Sequence, residues 1–239
     1  EMKTGRFYGV GLGPGDPGLV TLRTAEILRS VQIVYTVASR QSERSVSGAI
    51  INALPGVTAR REELKFTMSK DFPTRLAKID EHARRIAAEL RAGNDCAFAT
   101  IGDAMTYSTC GYLLRALLRI LPELEYEIVP GVNSWSALAA ASGTALAEDS
   151  TVLRVVPSHL PPDSPELHRM LESGESAVLL KTYHSRNEYL DALAGESCDI
   201  LYGSNIGLKE QFISSDPAAI RERPDEYLSM LIIRKEKKS

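Results

Sequence analysis

The strongest chemical signal in this 239-residue chain is the run Gly-Val-Gly-Leu-Gly-Pro-Gly-Asp-Pro from Gly9 to Pro17. Four glycines and two prolines in nine residues describe a backbone that carries few side chains and little freedom. Glycine admits positive φ and lets a ligand approach the main chain. Proline fixes φ and stiffens the loop. Two later stretches share this logic. Ile101 to Thr109 reads Ile-Gly-Asp-Ala-Met-Thr-Tyr-Ser-Thr, and Val129 to Trp135 reads Val-Pro-Gly-Val-Asn-Ser-Trp. Each of the three follows an apolar run that suits a strand and leads into a helical pattern. Open α/β sheets bind ligands at the carboxyl ends of their strands, and helix N-termini offer unpaired N–H groups. Asn133 or Ser134, and Ser108 or Thr109, equally suit plain N-capping.

A dinucleotide is the first ligand to weigh. Gly13, Gly15 and Gly18 match G-x-G-x-x-G after a strand. That fingerprint also requires an acidic residue after the second strand to bind ribose hydroxyls. The second strand is Gln32 to Val37, and Ala38-Ser39-Arg40 follows it without a carboxylate. Pro14 and Pro17 remove amide donors from the loop. A nicotinamide-dependent oxidoreductase is therefore disfavoured, and a glycine-rich turn with no ligand stays open beside other ligands.

The elements that must position these loops alternate in period. Strands are expected at Phe7–Val10, Gln32–Val37, Glu63–Phe66, Asp95–Ile101 and Tyr126–Val129. Helices are expected at Leu22–Ser30, Ser45–Leu54, Thr74–Ala92 and Tyr107–Leu121. A βαβα order implies a mostly parallel sheet with helices on its faces. After the small-residue helix Ser134–Ala141 the texture changes. Strands are expected at Val152–Val156, Ala177–Thr182, Cys198–Tyr202 and Leu228–Arg234, with a proline-rich loop over 157–165 and a short helix at Leu167–Leu171. The expected fold class is α/β in two domains: residues 1–135 on a mostly parallel sheet, and 136–239 on a mixed one. Met2 is read as the natural start, with Glu1 added before it.

Composition narrows the function. A net charge of −3 leaves no global basic excess for nucleic-acid phosphates. No apolar run is long enough to span a bilayer. Cys96, Cys110 and Cys198 are odd in number and form no Cys-x-x-Cys pair, which points away from a disulfide framework or structural zinc and toward a reducing cytoplasm. His82, expected on a surface face of the long helix, and His159, His168 and His184 show no metal-ligand spacing. Arg40 and Arg44 after strand two, and Lys65, Lys70 and Arg75 before the long helix, are candidate cations for an anionic small molecule. Arginine suits carboxylates because its fork pairs bidentately.

With these motifs in place the chain resembles the tetrapyrrole methylases, which move methyl groups from S-adenosylmethionine to corrinoid and sirohaem precursors. The resemblance rests on Val10-Gly11-Leu12-Gly13-Pro14-Gly15-Asp16-Pro17 with Leu22, Thr24 and Ala25, on Gly102-Asp103, and on Val129-Pro130-Gly131 with Asn133-Ser134. It covers the N-terminal half well and the C-terminal half loosely. Glu63-Leu64, Met68, Asp71, Tyr107-Ser108-Thr109 and Asn133 to Ala137 look most like the branch that methylates C(20) of precorrin-2 or cobalt-factor II in cobalamin biosynthesis. Ala104 stands where the family usually has proline, and Asn133-Ser134-Trp135 where it usually has Ser-Ser-Phe.

The resemblance implies two α/β domains with the active site in the cleft between them, a cytoplasmic homodimer, and S-adenosylmethionine as cofactor with no metal on the protein. Carried over by motif, the cofactor residues are Pro14, Ile101, Gly102, Asp103, Thr106, Asn133 and Ser134, then Thr182 and Gly207 in the second half. Arg40, Arg44, Lys70 and Arg75 would meet the carboxylates of the tetrapyrrole rim. Asp103 and Tyr107 are the two candidates for a general base at C(20), and Asp103 has an equal reading as a loop carboxylate that accepts backbone N–H bonds. Cobalt, where present, would lie inside the substrate. A sister methylase acting at another ring carbon or on uroporphyrinogen III, and a non-catalytic binder of cofactor or tetrapyrrole, are the alternatives.

Overall fold

A computed structural model describes residues 3–38, 40–66, 71–157 and 160–235 of the chain. Met68, Lys70 and His159 lie outside the described residues. The chain divides into two units, Glu1–Asn133 and Ser134–Ser239.

In the first unit, strands β1 (Phe7–Gly11), β2 (Ile33–Val37), β3 (Arg60–Leu64), β4 (Cys96–Thr100) and β5 (Tyr126–Val129) form one sheet in the order β3-β2-β4-β1-β5. Every neighbouring pair is parallel. Helices α1 (Leu22–Ser30), α2 (Gln41–Ala53), α3 (Phe72–Arg91) and α4 (Cys110–Ile120) make the crossovers. Right-handed crossovers send α1 and α2, which step one way along the sheet, to one face, and α3 and α4 to the other. The side chains agree. Phe7, Ile33, Tyr35, Cys96 and Phe98 pack with Ile79, Ala83 and Ile86 of α3 and Leu113 and Leu117 of α4. Between them Val34, Ala97 and Ala99 turn to the opposite face and are equally buried. A sheet covered on both faces needs continuous apolar strands, which is what β2 and β4 supply. On β1 a glycine replaces that bulk: a Cβ on Gly9 would stand 2.5 Å from Cys110 Sγ and 2.7 Å from Ile128 Cδ1, so α4 packs directly on the strand's main chain.

Strand β3 lies at Arg60–Leu64 and not at Glu63–Phe66. It is an edge strand, so Leu64 alone is buried while Arg60 to Glu63 remain charged, which blunts the open edge. Glu62 pairs with Arg85, and Arg60 with Glu89, both on α3. Helix α3 begins at Phe72 because Asp71 caps it, accepting the Thr74 N–H over 2.9 Å, and Pro73 tolerates the first turn. His82 is buried, at 4% exposure, and not on a surface face. Its Nε2 sits 3.0 Å from the Lys65 carbonyl, and its ring meets Phe66 edge-on. A hydrogen bond to that carbonyl satisfies one ring nitrogen in the apolar surround.

The second unit comprises α5 (Ser134–Ser142), β6 (Leu153–Val156), α6 (Pro165–Ser173), β7 (Ser176–Leu180), α7 (Arg186–Leu193), β8 (Cys198–Ser204), β9 (Phe212–Ser214), α8 (Pro217–Arg221) and β10 (Ser229–Lys235). Its sheet runs β6-β7-β10-β8-β9, with β6–β7 parallel and the other pairs antiparallel. A parallel sheet followed by a mixed one is the expected α/β class. Leu167 and Met170 of α6, Tyr189 and Leu190 of α7, and Tyr202 and Leu231 of the sheet build its core. Helix α6 extends beyond the expected 167–171 because Ser164 caps it and Gly174, at φ +75, ends it. Strand β7 stops at Leu180 because Lys181 takes φ +57 and turns the chain into Thr182.

Candidate active site at the switch point of the first sheet

Along the order β3-β2-β4-β1-β5 the chain leaves β1 toward β2, and leaves the adjacent β4 toward β5. The two connections run to opposite faces of the sheet, and a doubly wound sheet opens a ligand crevice at such a point. The first two glycine loops meet at this place. The Gly13 N–H donates to Gly102 O over 3.1 Å, and the Gly102 N–H donates to Gly13 O over 2.7 Å. Both glycines have positive φ, +75 and +73, so this bridge requires residues without a Cβ.

Gly131, just beyond β5, completes the arrangement. A Cβ on Gly11 would stand 2.6 Å from Gly102 O and from Gly131 Cα. A Cβ on Gly131 would stand 2.8 Å from Gly11 Cα and closer still to Gly102 O. Three strand ends therefore touch backbone to backbone. The Thr24 hydroxyl, fully buried on α1, donates to Gly11 O over 3.3 Å and ties that helix to the same point.

Asp103 ties the second loop to the third. One carboxylate oxygen accepts the Gly131 N–H at 2.9 Å; the other accepts the Met105 N–H and the Thr106 hydroxyl, each at 2.9 Å. Burial pushes its carboxyl upward, but the bonds from Gly131, Met105 and Thr106 outweigh this and hold it below the usual carboxylate range. Asp16 acts alike in its own turn, accepting the Gly18 N–H at 2.8 Å. Both acids of the three loops are thus committed to backbone amides, and the loops contain no lysine or arginine. Such a lining suits a ligand that brings its own positive charge and is gripped by main chain and small hydroxyls.

The remaining sequence candidates fall as follows. Pro14 is buried; Ile101 and Asn133 are half-buried, as is Ser134, the first residue of α5. Tyr107 is 56% exposed at φ +52, which explains why α4 starts at Cys110 and not at Tyr107. Ser108 accepts the Cys110 N–H over 3.1 Å, while Thr109, at the N-cap position of α4, makes no side-chain cap bond. In the second unit Thr182 is 3% exposed, and its hydroxyl has no partner among the described residues. Gly207, at φ +82, donates its N–H to Gln211 Oε1 over 2.8 Å. Of the candidate substrate cations, Arg44 pairs with Glu63, Arg40 is half-buried ahead of α2, and Arg75 is exposed over the Phe72 ring. Lys65 contributes its carbonyl to His82, and its side chain is exposed. Gly11, Gly13, Gly131 and Thr24 were not among the expected site residues. The glycine-rich run, with Thr24 after it, was the available signal for Gly11, Gly13 and Thr24, and the Pro-Gly pair after β5 for Gly131, because a turn of that kind brings backbone close.

Among the described residues no group of three His, Cys, Asp or Glu could hold a metal ion, and no helix is long and apolar enough to cross a membrane.

Comparison with known proteins adds relatives to this geometry. A family model described as Tetrapyrrole (Corrin/Porphyrin) Methylases matches residues 6–219. The cobalt-precorrin-2 C(20)-methyltransferase of Salmonella typhimurium is 33% identical over 97% of each chain. A probable cobalt-precorrin-2 C(20)-methyltransferase of Methanocaldococcus jannaschii is 31% identical over 98% of this chain and 97% of its own. Among solved structures, the uroporphyrin-III C-methyltransferase of Thermus thermophilus, complexed with S-adenosylhomocysteine, shares the fold at TM-score 0.67 and 21% identity, over 96% of this chain and 92% of that one. The switch-point glycines, the Asp103 lock and these end-to-end matches converge: the chain belongs to the tetrapyrrole methylase family.

Proposed function

We propose that this protein transfers a methyl group from S-adenosylmethionine to C(20) of a precorrin-2-type macrocycle in cobalamin biosynthesis, with the cobalt-containing ring as its substrate. One observation carries the reading: the near full-length match, at 33% identity, to a relative named for that reaction on the cobalt form. The relative named for the metal-free ring stands at 26%, and a C(11) methylase aligns over only 58% of this chain.

S-adenosylmethionine supplies a methyl group already activated on a positively charged sulfur. The switch-point loops fit such a molecule, because they lack lysine and arginine and both of their carboxylates are committed to amides. Pro14, Ile101, Gly102, Thr106, Asn133 and Ser134 are assigned to hold it, with Thr182 and Gly207 as the contacts from the second unit. Asp103 is assigned to positioning: its two oxygens keep Gly131 and the Met105–Thr106 turn in place, and its depressed proton affinity makes it a poor base. The chain's task is then orientation and exclusion of water, which together supply much of the rate in a displacement of this kind. Arg40, Arg44, Lys70 and Arg75 are assigned to the rim carboxylates. Tyr107 is kept as the candidate general base for the proton that C(20) loses when the methyl group arrives. A homodimer in the cytoplasm is part of the same reading.

The test is an anaerobic incubation with S-adenosylmethionine and, in parallel, cobalt-precorrin-2 and precorrin-2, read by mass spectrometry and by NMR with a labelled methyl. One methyl gained at C(20), faster on the cobalt form, is the expected result. Transfer to another carbon, or none with S-adenosylhomocysteine still bound, overturns the reading.

A further inference from the structure

Large apolar side chains are exposed together at the ligand end of the first sheet, where α3 and α4 begin. Phe72 is 46% exposed, Tyr112 40% and Met105 54%. They are not scattered. The Phe72 and Tyr112 rings meet edge to face with centroids 6.3 Å apart, which joins the first turns of the two helices. Met105 closes the group, its Cε lying 3.5 Å from where a Cβ on Gly111 would stand. Each ring carries an arginine three residues further along its helix. The Arg75 guanidinium lies 5.4 Å from the Phe72 centroid, and that of Arg115 lies 4.7 Å from the Tyr112 centroid. Residues three apart share a helix face.

The two arginines differ from most in this unit. Arg23, Arg44, Arg60, Arg85 and Arg119 each have a carboxylate within salt-bridge distance. Among the described residues, Arg75 and Arg115 have no such partner, and each instead lies over a ring. Arg75 does help to depress the Asp71 carboxyl, behind the two bonds that carboxyl accepts from Thr74. A guanidinium stacked on an aromatic face keeps its in-plane N–H fork free for a carboxylate. The Arg115 fork lies beside the second crevice loop, its Nη1 3.7 Å from the same Gly111 point that Met105 Cε approaches, and the Phe72–Tyr112 ring contact joins the Arg75 pair to it.

We propose that Phe72, Arg75, Tyr112 and Arg115 form a platform that takes one edge of a flat polycarboxylate macrocycle, the rings against its apolar rim and the two guanidiniums on two of its carboxylates. This rests on the proposed function for the identity of the macrocycle. It adds three residues, Phe72, Tyr112 and Arg115, that the sequence did not single out. Charge complementarity selects this occupant over a second copy of the chain, because two such faces placed together would oppose unpaired cations.

The experiment compares the full-length wild type with R75Q/R115Q, R75K/R115K and, as a control of equal type on the exposed side of α3, R84Q. Steady-state methyl transfer gives the KM for each of the two substrates. A titration with uroporphyrin III, read by absorbance without S-adenosylmethionine, gives macrocycle affinity independent of turnover. The expected result for R75Q/R115Q is a tetrapyrrole KM raised by about tenfold, the loss of two exposed, charge-assisted contacts. Its S-adenosylmethionine KM should stay within about twofold, and R84Q should resemble wild type. The lysine pair should fall between, since charge survives but the fork does not. An unchanged tetrapyrrole KM and unchanged macrocycle affinity in R75Q/R115Q overturn the platform. So does a shift of the variant from dimer to monomer with unaltered affinity, which would make the face a subunit contact. If the wild type binds uroporphyrin III but methylates no tetrapyrrole, the proposed function fails, and a tenfold weaker titration of the glutamine variant still upholds the platform.

Discussion

Replacing Asp103 tests the central claim about the crevice, that one carboxylate ties the loop after β4 to the end of β5. Asp103→Ala removes the acceptor for the Gly131 and Met105 amides and for the Thr106 hydroxyl. The Gly131 bond is part-buried, and bonds to an ionised acceptor contribute about 1.5–3 kcal/mol. The other two face solvent, where water replaces most of what is lost, so about 0.5 kcal/mol each is a fair allowance. The sum is about 2.5–4 kcal/mol for the first unit. For a unit of this size that lowers the melting temperature by roughly 9–14 °C. Asp103→Asn should cost less at neutral pH, since one oxygen survives, and it should flatten the acid limb. The folded carboxyl lies below its unfolded value, so its contribution is complete above the unfolded range near pH 4 and is lost as pH falls through the folded value. Calorimetry from pH 7 to pH 3 on wild type, D103A and D103N reads all of this, and S-adenosylhomocysteine titration adds the cost to the crevice. A melting temperature for D103A within 1–2 °C of wild type, with unaltered ligand affinity, would refute the lock.

Further outcomes follow from the same geometry. Gly131→Ala should cripple S-adenosylhomocysteine binding by at least tenfold, because its Cβ would stand 2.8 Å from Gly11 Cα and closer to Gly102 O, both backbone; calorimetric titration checks it. Thr182→Val should leave the ligand-free protein as stable or slightly more so, since the buried hydroxyl is unpartnered, while cofactor affinity falls if that hydroxyl contacts ligand. Thermal shift with and without S-adenosylhomocysteine separates the two. Burial pushes the Cys96 and Cys110 thiols up to about 12, so native alkylation at pH 8 should modify half-buried Cys198 first and the other two only on unfolding, as peptide mass mapping would record.

How much of this was legible in the sequence varies by element. The parallel sheet was readable because β2 and β4 are buried on both faces and so appear as unbroken apolar runs. Edge strand β3 was misplaced by three residues, since a strand covered on one side needs only Leu64 as an anchor and its remaining order comes from the ladder to β2. Helix α7 went unseen. It is eight residues long with Tyr189, Leu190 and Leu193 as its apolar face, too short for a period to stand out. His82 reads as polar on a helix, and the carbonyl of Lys65, from outside that helix, makes its burial tolerable. In the crevice, the glycines announced that backbone must come close, but not to what. That Gly11, Gly102 and Gly131 approach one another depends on strand order, which no local pattern encodes. The loop-stabilising reading of Asp103 was available because carboxylates that follow glycine in a loop commonly cap nearby amides.

The strand order also bears on synthesis. β1 is made first, yet both of its neighbours come late: Phe7 pairs with Cys96 on one side and with Tyr126 on the other. At ordinary elongation speeds the nascent chain waits on the order of 5–20 s between making β1 and making its first partner. During that wait this future interior strand has two open edges. Gly9 and Gly11 make it a poor template for stray pairing, because glycine weakens a strand until neighbours fix it. The residues that let three strand ends meet in the finished protein thus also keep the first of them inert on the ribosome.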